Sequence, residues 1–301
     1  MATTGSTGEI NLTERADKKV LERFKLKSVT QGLFSNAYNF TGVKTVQIPS
    51  IDTVPLTNYD VENALASKFS RYGDLVNLGD TVQEFTMREN KSFLFAIDET
   101  YQTDQQQIKR ASECLRRELD EVVIPYCDKY RLAQLATNAD AADKITLQAA
   151  PTKANILDQI FTYNAMMSDE LVPVDGRVLY MSYQDAVMLK LADQVVGIDK
   201  LGEKAIVNGV FGKVDAAQIR LVPASYMPNG VKIMIVKTGI SLAPTKIKKY
   251  AIHDGAHVLN GKIVTGQLYH DCFVMAKGEQ YTDQTDNKKK NKVRGILTIG
   301  W

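Results

Sequence analysis

The sequence predicts an α+β protein, and three observations carry that prediction. A long amphipathic helix occupies the stretch from Asp104 to about Ala136. Stretches rich in β-branched residues lie on both sides of it, from Gly42 to Ile48 before and from Gly176 onward after. The order runs from an extended arm through a loop and the long helix to a mixed α/β region and closing strands. That order sends the last strands back to the layer of the long helix.

Residues 1–40 read as an N-terminal arm. Residues 1–11 are small and polar, a flexible leader by composition. Asn11 caps a short helix to Phe24, with Leu12, Ala16, Val20, Leu21 and Phe24 at helical spacing. From Arg15 to Lys27 the chain leans basic: Arg15, Lys18, Lys19, Arg23, Lys25 and Lys27 stand against Asp17 and Glu22. Lys18 and Lys19 are therefore candidate assembly contacts. Gln31 to Phe40 is expected to be an extended connection.

Residues 41–99 read as an extended loop. Its first strand, Gly42 to Ile48, is expected to stop at Pro49. Weak core signals follow through Pro55, Asn58, Gly73 and Gly79. Thr81 to Met87 and Lys91 to Ile97 then read as a hairpin turning at Arg88-Glu-Asn90. A long stretch without its own core implies a partner that covers it, here a neighbouring subunit.

Residues 100–150 carry the helix. Ile108, Leu115, Leu119, Val122 and Val123 line one side; Lys109, Arg110, Glu113, Arg116, Arg117, Glu118, Asp120 and Glu121 line the other. Lys109–Glu113 and Glu113–Arg117 are opposite charges four apart, each adding a few tenths of a kcal/mol. Such a helix spans roughly 50 Å. Pro125 should kink it, because proline lacks the backbone donor and crowds the preceding turn. Leu115 and Leu119 should face the closing strands, and Arg116 and Arg117 are candidate assembly residues on the charged side.

A second domain, 151–238, opens with Thr152 as cap of a helix bearing Ile156, Leu157, Ile160 and Phe161. Gly176 to Met181 is a buried strand, and Ser182 with Asp185 starts the helix Tyr183 to Leu191. Asn208-Gly209 signals a hairpin between Ala205–Val207 and Val210–Val214. Gln218–Val222 and Val231–Val236 are strands joined through Pro228-Asn-Gly230. Residues 239–281 hold the closing strands, Ile240–Leu242, Ile247–Ile252 and Ile263–Met275. Residues 282–301 read as a polar, lysine-rich C-terminal tail.

Composition excludes several classes. The 301 residues suffice for about two domains. No apolar run approaches the ~20 residues of a membrane span. Cys114, Cys127 and Cys272 are odd in number and widely spaced, which reads as reduced thiols. A net charge of +2 lacks the basic excess of a dedicated nucleic-acid binder.

Chemistry has few footholds. His253 and His257 are four apart, the spacing of two metal ligands on one helix face and the basis of a metal-dependent hydrolase as a rival reading. The intervening Asp254-Gly-Ala favours a loop, and neither Cys–x–x–Cys nor a general-base Glu accompanies them. His270 and Asp271 are adjacent, so on a strand they face opposite sides; His270 reads as a satisfied structural histidine. Gly209-Val-Phe-Gly212 leads into a strand, where no helix N-terminus can cradle a phosphate. The run Asn287 to Arg294 reads as a solvated tail, and any contact of the chain with nucleic acid would be non-specific and salt-sensitive. No catalytic, cofactor or metal residue is assigned.

Several phrases, in order, resemble the major capsid proteins of tailed bacteriophages, the Hong Kong 97 type of shell subunit. Gly42 to Asp52 looks like the first limb of that family's extended loop; Asp80 to Phe85 with Lys91 to Asp98 looks like its return. Asp104 to Ala136 fits the spine helix of the peripheral domain. Asp175 to Met181, Val210 to Asp215 and Arg220 to Ala224 resemble the axial domain, and Leu242 to Tyr250 with Gly266 to Val274 resembles the closing strands. The resemblance implies a Hong Kong 97-like capsid fold and a subunit that joins copies of itself in hexamers and pentamers. It implies an icosahedral shell around double-stranded DNA, assembled in the host cytoplasm and ending in the virion. It further implies a portal and a separate scaffold protein, or a protease that removes one, and neither cofactor nor membrane. A loop lysine and asparagine that cross-link in some relatives find no match here. The rival of the same fold is the shell of an encapsulin-type bacterial compartment.

Overall fold

The computed structural model describes residues 28–38, 44–51, 56, 58–59, 71–72, 77, 80–99, 111–192, 212–254, 260–275, 280–282, 289–291 and 293–301. The arm helix at 11–24 with Lys18 and Lys19, the start of the long helix before Ala111, the Asn208-Gly209 hairpin and His257 lie outside the described residues.

β1 (Thr45–Ile51) and β2 (Asp80–Thr86) form an antiparallel ribbon with Pro49 opposite Val82. The strand runs through the proline expected to end it. A two-stranded ribbon has a free edge on each strand, where proline costs no ladder bond. One face of the ribbon, Val46, Ile48 and Phe85, packs on Met87, Leu242, Phe273 and Met275. β3 (Glu89–Asp98) does not turn back on β2 as the predicted hairpin requires. It pairs instead with β11 (Gly261–His270), and Met87–Arg88 is a corner between two sheets.

The long helix follows as α1 (Ala111–Glu118), a π-helical turn (Leu119–Val123) and α2 (Ile124–Asn138). The effect expected of Pro125 takes this form: the wider turn just before it makes room for the ring, and the chain stays helical. The extra residue also rotates the apolar stripe. Leu115 packs with Ile97, Ala111 and Val264, but Val122, predicted on the buried side, is exposed, and the buried face resumes at Leu132, Leu135 and Ala136. Two elements missed in the sequence then follow, a 3-10 turn (Ala141–Asp143) and β4 (Lys144–Thr146).

α3 (Ile156–Asp169) starts one turn beyond the predicted cap. Thr152 donates its backbone N–H to Asn155 Oδ1 (2.6 Å) rather than capping the helix with its side chain. β5 (Arg177–Ser182) is buried along its whole length, and α4 (Tyr183–Lys190) begins as predicted, with Ser182 Oγ accepting from the Asp185 N–H. β6 (Lys213–Val214), β7 (Ala217–Val222) and β8 (Ile233–Lys237) come next, then β9 (Ser241–Leu242), β10 (Thr245–Asp254), β11 (Gly261–His270) and β12 (Phe273–Val274). β13 (Gln280–Thr282) and β14 (Lys289–Asn291) pair with each other, and β15 (Ile296–Gly300) ends the chain's regular structure.

β15 corrects the reading of 282–301 as a C-terminal tail. Its five residues are all buried inside a mixed sheet of order β4-β15-β8-β5-β7-β6. Gly300 is needed there, since a Cβ would stand 1.9 Å from the Gly230 carbonyl oxygen. Successive side chains of β5 and β8 serve opposite faces, as a pleat requires. Leu179, Met181, Ile233 and Ile235 meet α3 and α4 on one face; Val178, Tyr180, Met234 and Val236 meet Leu132, Leu135 and Leu33 on the other. The long helix thus serves two bodies. Its first turns cover the sheet of order β10-β11-β3 and its last turns cover the six-stranded sheet.

Candidate assembly surfaces

Residues 28–35, read as part of the arm, are strapped across the long helix and the six-stranded body. Asp128, 1% exposed in mid-helix, accepts from Ser28 Oγ (2.6 Å), Thr30 Oγ1 (2.6 Å) and the Val29 N–H (2.9 Å). Arg220 donates to the carbonyls of Val29 (3.0 Å) and Gln31 (2.7 Å) from β7. Gly239 donates to the Leu33 carbonyl, and the Ser35 N–H donates to that of Ser241. Whatever precedes Ser28 therefore leaves the body from a fixed point on the long helix.

A second junction holds the base of the ribbon. Asp271 accepts from Tyr130 Oη (2.8 Å), the Arg88 N–H (2.8 Å) and the Cys272 N–H (2.8 Å). One carboxylate so joins the β2–β3 corner, the long helix and the end of β11. Burial, and Glu89 as acceptor, push the Tyr126 phenol up to about 12. Burial and the bond to Asp271 raise Tyr130 as well. His270 is buried, and the expectation that it is satisfied fails: neither ring nitrogen has a hydrogen-bond partner.

Among the described residues, exposed apolar side chains stand on the ribbon and on the six-stranded body. The outer face of the ribbon shows Ile51 and Val82. On the six-stranded body, Tyr183 and Val187 on α4 and Leu191 at its C-cap lie four apart, with Phe161 and Met166 exposed on α3. Exposed side chains at such spacing form a ridge, the kind of surface that monomers seldom leave uncovered.

The structure brings the predicted site residues together only in part. Arg116 is exposed, and Arg117 pairs with Glu121 at 3.7 Å, an exposed i,i+4 contact of small energetic weight. His253 lies in β10 rather than a loop, with Nε2 3.2 Å from Thr265 Oγ1. Among the described residues no group of three His, Cys, Asp or Glu could hold a metal ion, and no helix is long and apolar enough to cross a membrane. No disulfide joins Cys114, Cys127 and Cys272, and burial pushes Cys272 up to about 12, away from reactivity. Asp128 and Asp271 escaped the sequence reading. A carboxylate on a charged helix and one beside a histidine carry no local mark of burial.

No family model and no curated protein matches the chain. Solved structures do, over nearly its whole length. The capsid structure of cyanophage P-SCSP1u aligns at a TM-score of 0.72 and 12% identity, covering 96% of this chain and 93% of that one. The mature capsid of bacteriophage PhiM1 aligns at 0.70 and 13%, covering 99% and 94%. A chain of Mycobacterium phage Che8 aligns at 0.68 and 15%, covering 99% and 98%. With one long helix packed on both its three-stranded and its six-stranded sheet, and a two-stranded ribbon beside them, the chain has the Hong Kong 97-like capsid fold of tailed-phage shell subunits.

Proposed function

We propose that the chain is the major capsid protein of a tailed phage, joining hexamers and pentamers of itself into an icosahedral shell around double-stranded DNA. The observation that carries this reading is the end-to-end match to capsid structures, with 96% of this chain and 93% of the cyanophage capsid chain aligned. The role is structural and needs no cofactor. The ribbon reaches a neighbouring subunit, and the α3–α4 ridge meets the next copy around a ring. Scaffold, portal and packaged DNA are the partners of such a subunit, the DNA held by non-specific contact.

Electron microscopy of the purified full chain tests the reading. Closed shells are expected, and nuclease-protected DNA within particles from infected cells. Particles holding an enzyme and no DNA would favour the encapsulin-type compartment, and an unassembled monomer under all conditions would refute both. Val187→Asp should leave the thermal melt unchanged within about 0.5 kcal/mol, since the side chain is exposed. It should abolish rings and shells, because a charge then sits in the apolar contact.

The basic stretch 15–27 is assigned to the inner surface, where scaffold or phosphate meets it. Lys18→Glu with Lys19→Glu should lower assembly yield at low salt, the gap to the parent closing as salt rises. Light scattering across a salt series measures it. A defect indifferent to salt would place the arm's role in the packing of Leu12, Val20 and Phe24.

A further inference from the structure

We propose that the junction around His270 is an acid-sensitive latch: the neutral ring packs the long helix, β3 and β11 together, and its protonation loosens the corner that fixes the ribbon. The ring is 1% exposed and lies edge-on to two tyrosines of α2, with centroids 5.9 Å from Tyr126 and 5.3 Å from Tyr130. Neither nitrogen has a hydrogen-bond partner. A neutral imidazole so placed forgoes a hydrogen bond; a charged one would sit desolvated, which costs far more.

The charges around the ring come from each element packed on it. Arg131 approaches from α2, Glu89 and Lys91 from β3, and Asp271 from the next position in the chain. Glu89 is also its register partner on β3, and Thr245 is its partner on β10. The two carboxylates already have bonds to keep. Glu89 accepts from Tyr126 Oη (3.0 Å) and pairs with Lys91 (3.4 Å), while Asp271 holds Tyr130 and the Arg88 N–H. An imidazolium would draw them away from those partners, and the partners are the corner itself. Burial first, then Arg131, hold the ring's pKa below its ordinary 6.5, with Asp271 and Glu89 opposing.

The sign follows from the lowered value. The packed state binds fewer protons than the opened one, so the latch is at full strength above pH 6.5 and weakens as pH falls from there toward the lowered value. Opening here frees the β2–β3 corner from the end of β11, because Arg88 N–H to Asp271 and Tyr269 Oη to the Met87 carbonyl (3.1 Å) both tie it. This rests on contacts within one chain and stands apart from the shell reading.

Two measurements on the full-length chain test it. In the first, deuterium exchange at the imidazole C2 position is followed by mass spectrometry, with exposed His253 as internal reference. His270 should exchange more slowly than His253 throughout; equal rates would overturn the proposal. In the second, backbone exchange of peptides covering 80–99 and 261–275 is compared at neutral and mildly acidic pH after correction for intrinsic rates. The parent should lose protection as pH falls below 6.5, the direction set by the lowered ring value. His270→Phe, which keeps a flat ring between the tyrosines, should keep most of that protection. Equal losses in parent and variant would assign the acid response to Asp271 or Glu89 and overturn the latch. If the variant fails to fold, the imidazole exchange of the parent decides alone.

Discussion

Arg177→Met should cost the chain about 4 kcal/mol, the largest loss expected of any single substitution considered, by the usual toll of breaking a buried charged network. Arg177 is 1% exposed, yet all of its donors are placed. Nε reaches the Pro173 carbonyl (3.2 Å); Nη1 reaches the Asn164 carbonyl (2.8 Å) and Oδ1 (2.6 Å); Nη2 reaches Ser168 Oγ (3.0 Å) and the Val172 carbonyl (2.6 Å). These acceptors cluster at the C-terminal end of α3, where the helix dipole favours a cation. Burial lowers the guanidinium's pKa, with Asp215 opposing.

The network extends one step further. Asn164 Nδ2 donates to the Asp215 carbonyl (2.9 Å) and Oδ2 (2.7 Å), holding a turn in which Asp215 (φ 47°) and Ala216 (φ 63°) are both left-handed. Methionine fills the volume but leaves the acceptors unpaired, each costing about 1–3 kcal/mol, less what is recovered by no longer burying a charge. Lysine should fare little better, because it lacks the planar fork. Urea denaturation followed by circular dichroism measures the loss. A variant within about 1 kcal/mol of the parent would show that the network sets geometry and not stability.

Asp128→Ala ranks second, at about 3 kcal/mol, from losing hydrogen bonds to a charged acceptor. Its consequence is local as well as global. With Ser28 Oγ, Thr30 Oγ1 and the Val29 N–H released, the strap keeps Arg220 and Gly239 but loses its hold on the long helix. Backbone exchange over 28–35 should rise well before the β5 and β8 amides respond. Asp128→Asn, which keeps an acceptor, should fall between. Unchanged protection of 28–35 in the alanine variant would mean that Leu33, fully buried, anchors the strap by itself.

Features written in short range were legible. The Ser182–Asp185 start of α4 needs residues three apart, and the buried run of β5 declares itself by lacking any polar alternation. The hairpin expected at Arg88-Glu-Asn90 failed for the opposite reason. Turn residues set only a local bend, and whether the flanking strands pair with each other depends on what else offers an edge. Here β11 takes β3 and β1 takes β2. Of the surfaces proposed for assembly, the sequence marks the loop by its want of a core and does not mark the α3–α4 ridge, since exposed apolar residues at helical spacing read as core.

By itself the sequence determined the α+β class, the long helix, the buried strand of the second domain, the absence of a known catalytic motif, and an order of elements that resembles shell subunits. Tertiary structure alone decided that β15 enters the six-stranded sheet, that Asp128 and Asp271 are buried ties, and that Arg177 stands at a helix end. The reason is distance along the chain. Ser28 meets Asp128 across 100 residues and Arg88 meets Asp271 across 183. A charged side chain is stable in the interior only where the fold brings its partners, so its burial is a property of the assembled chain and not of its neighbours in sequence.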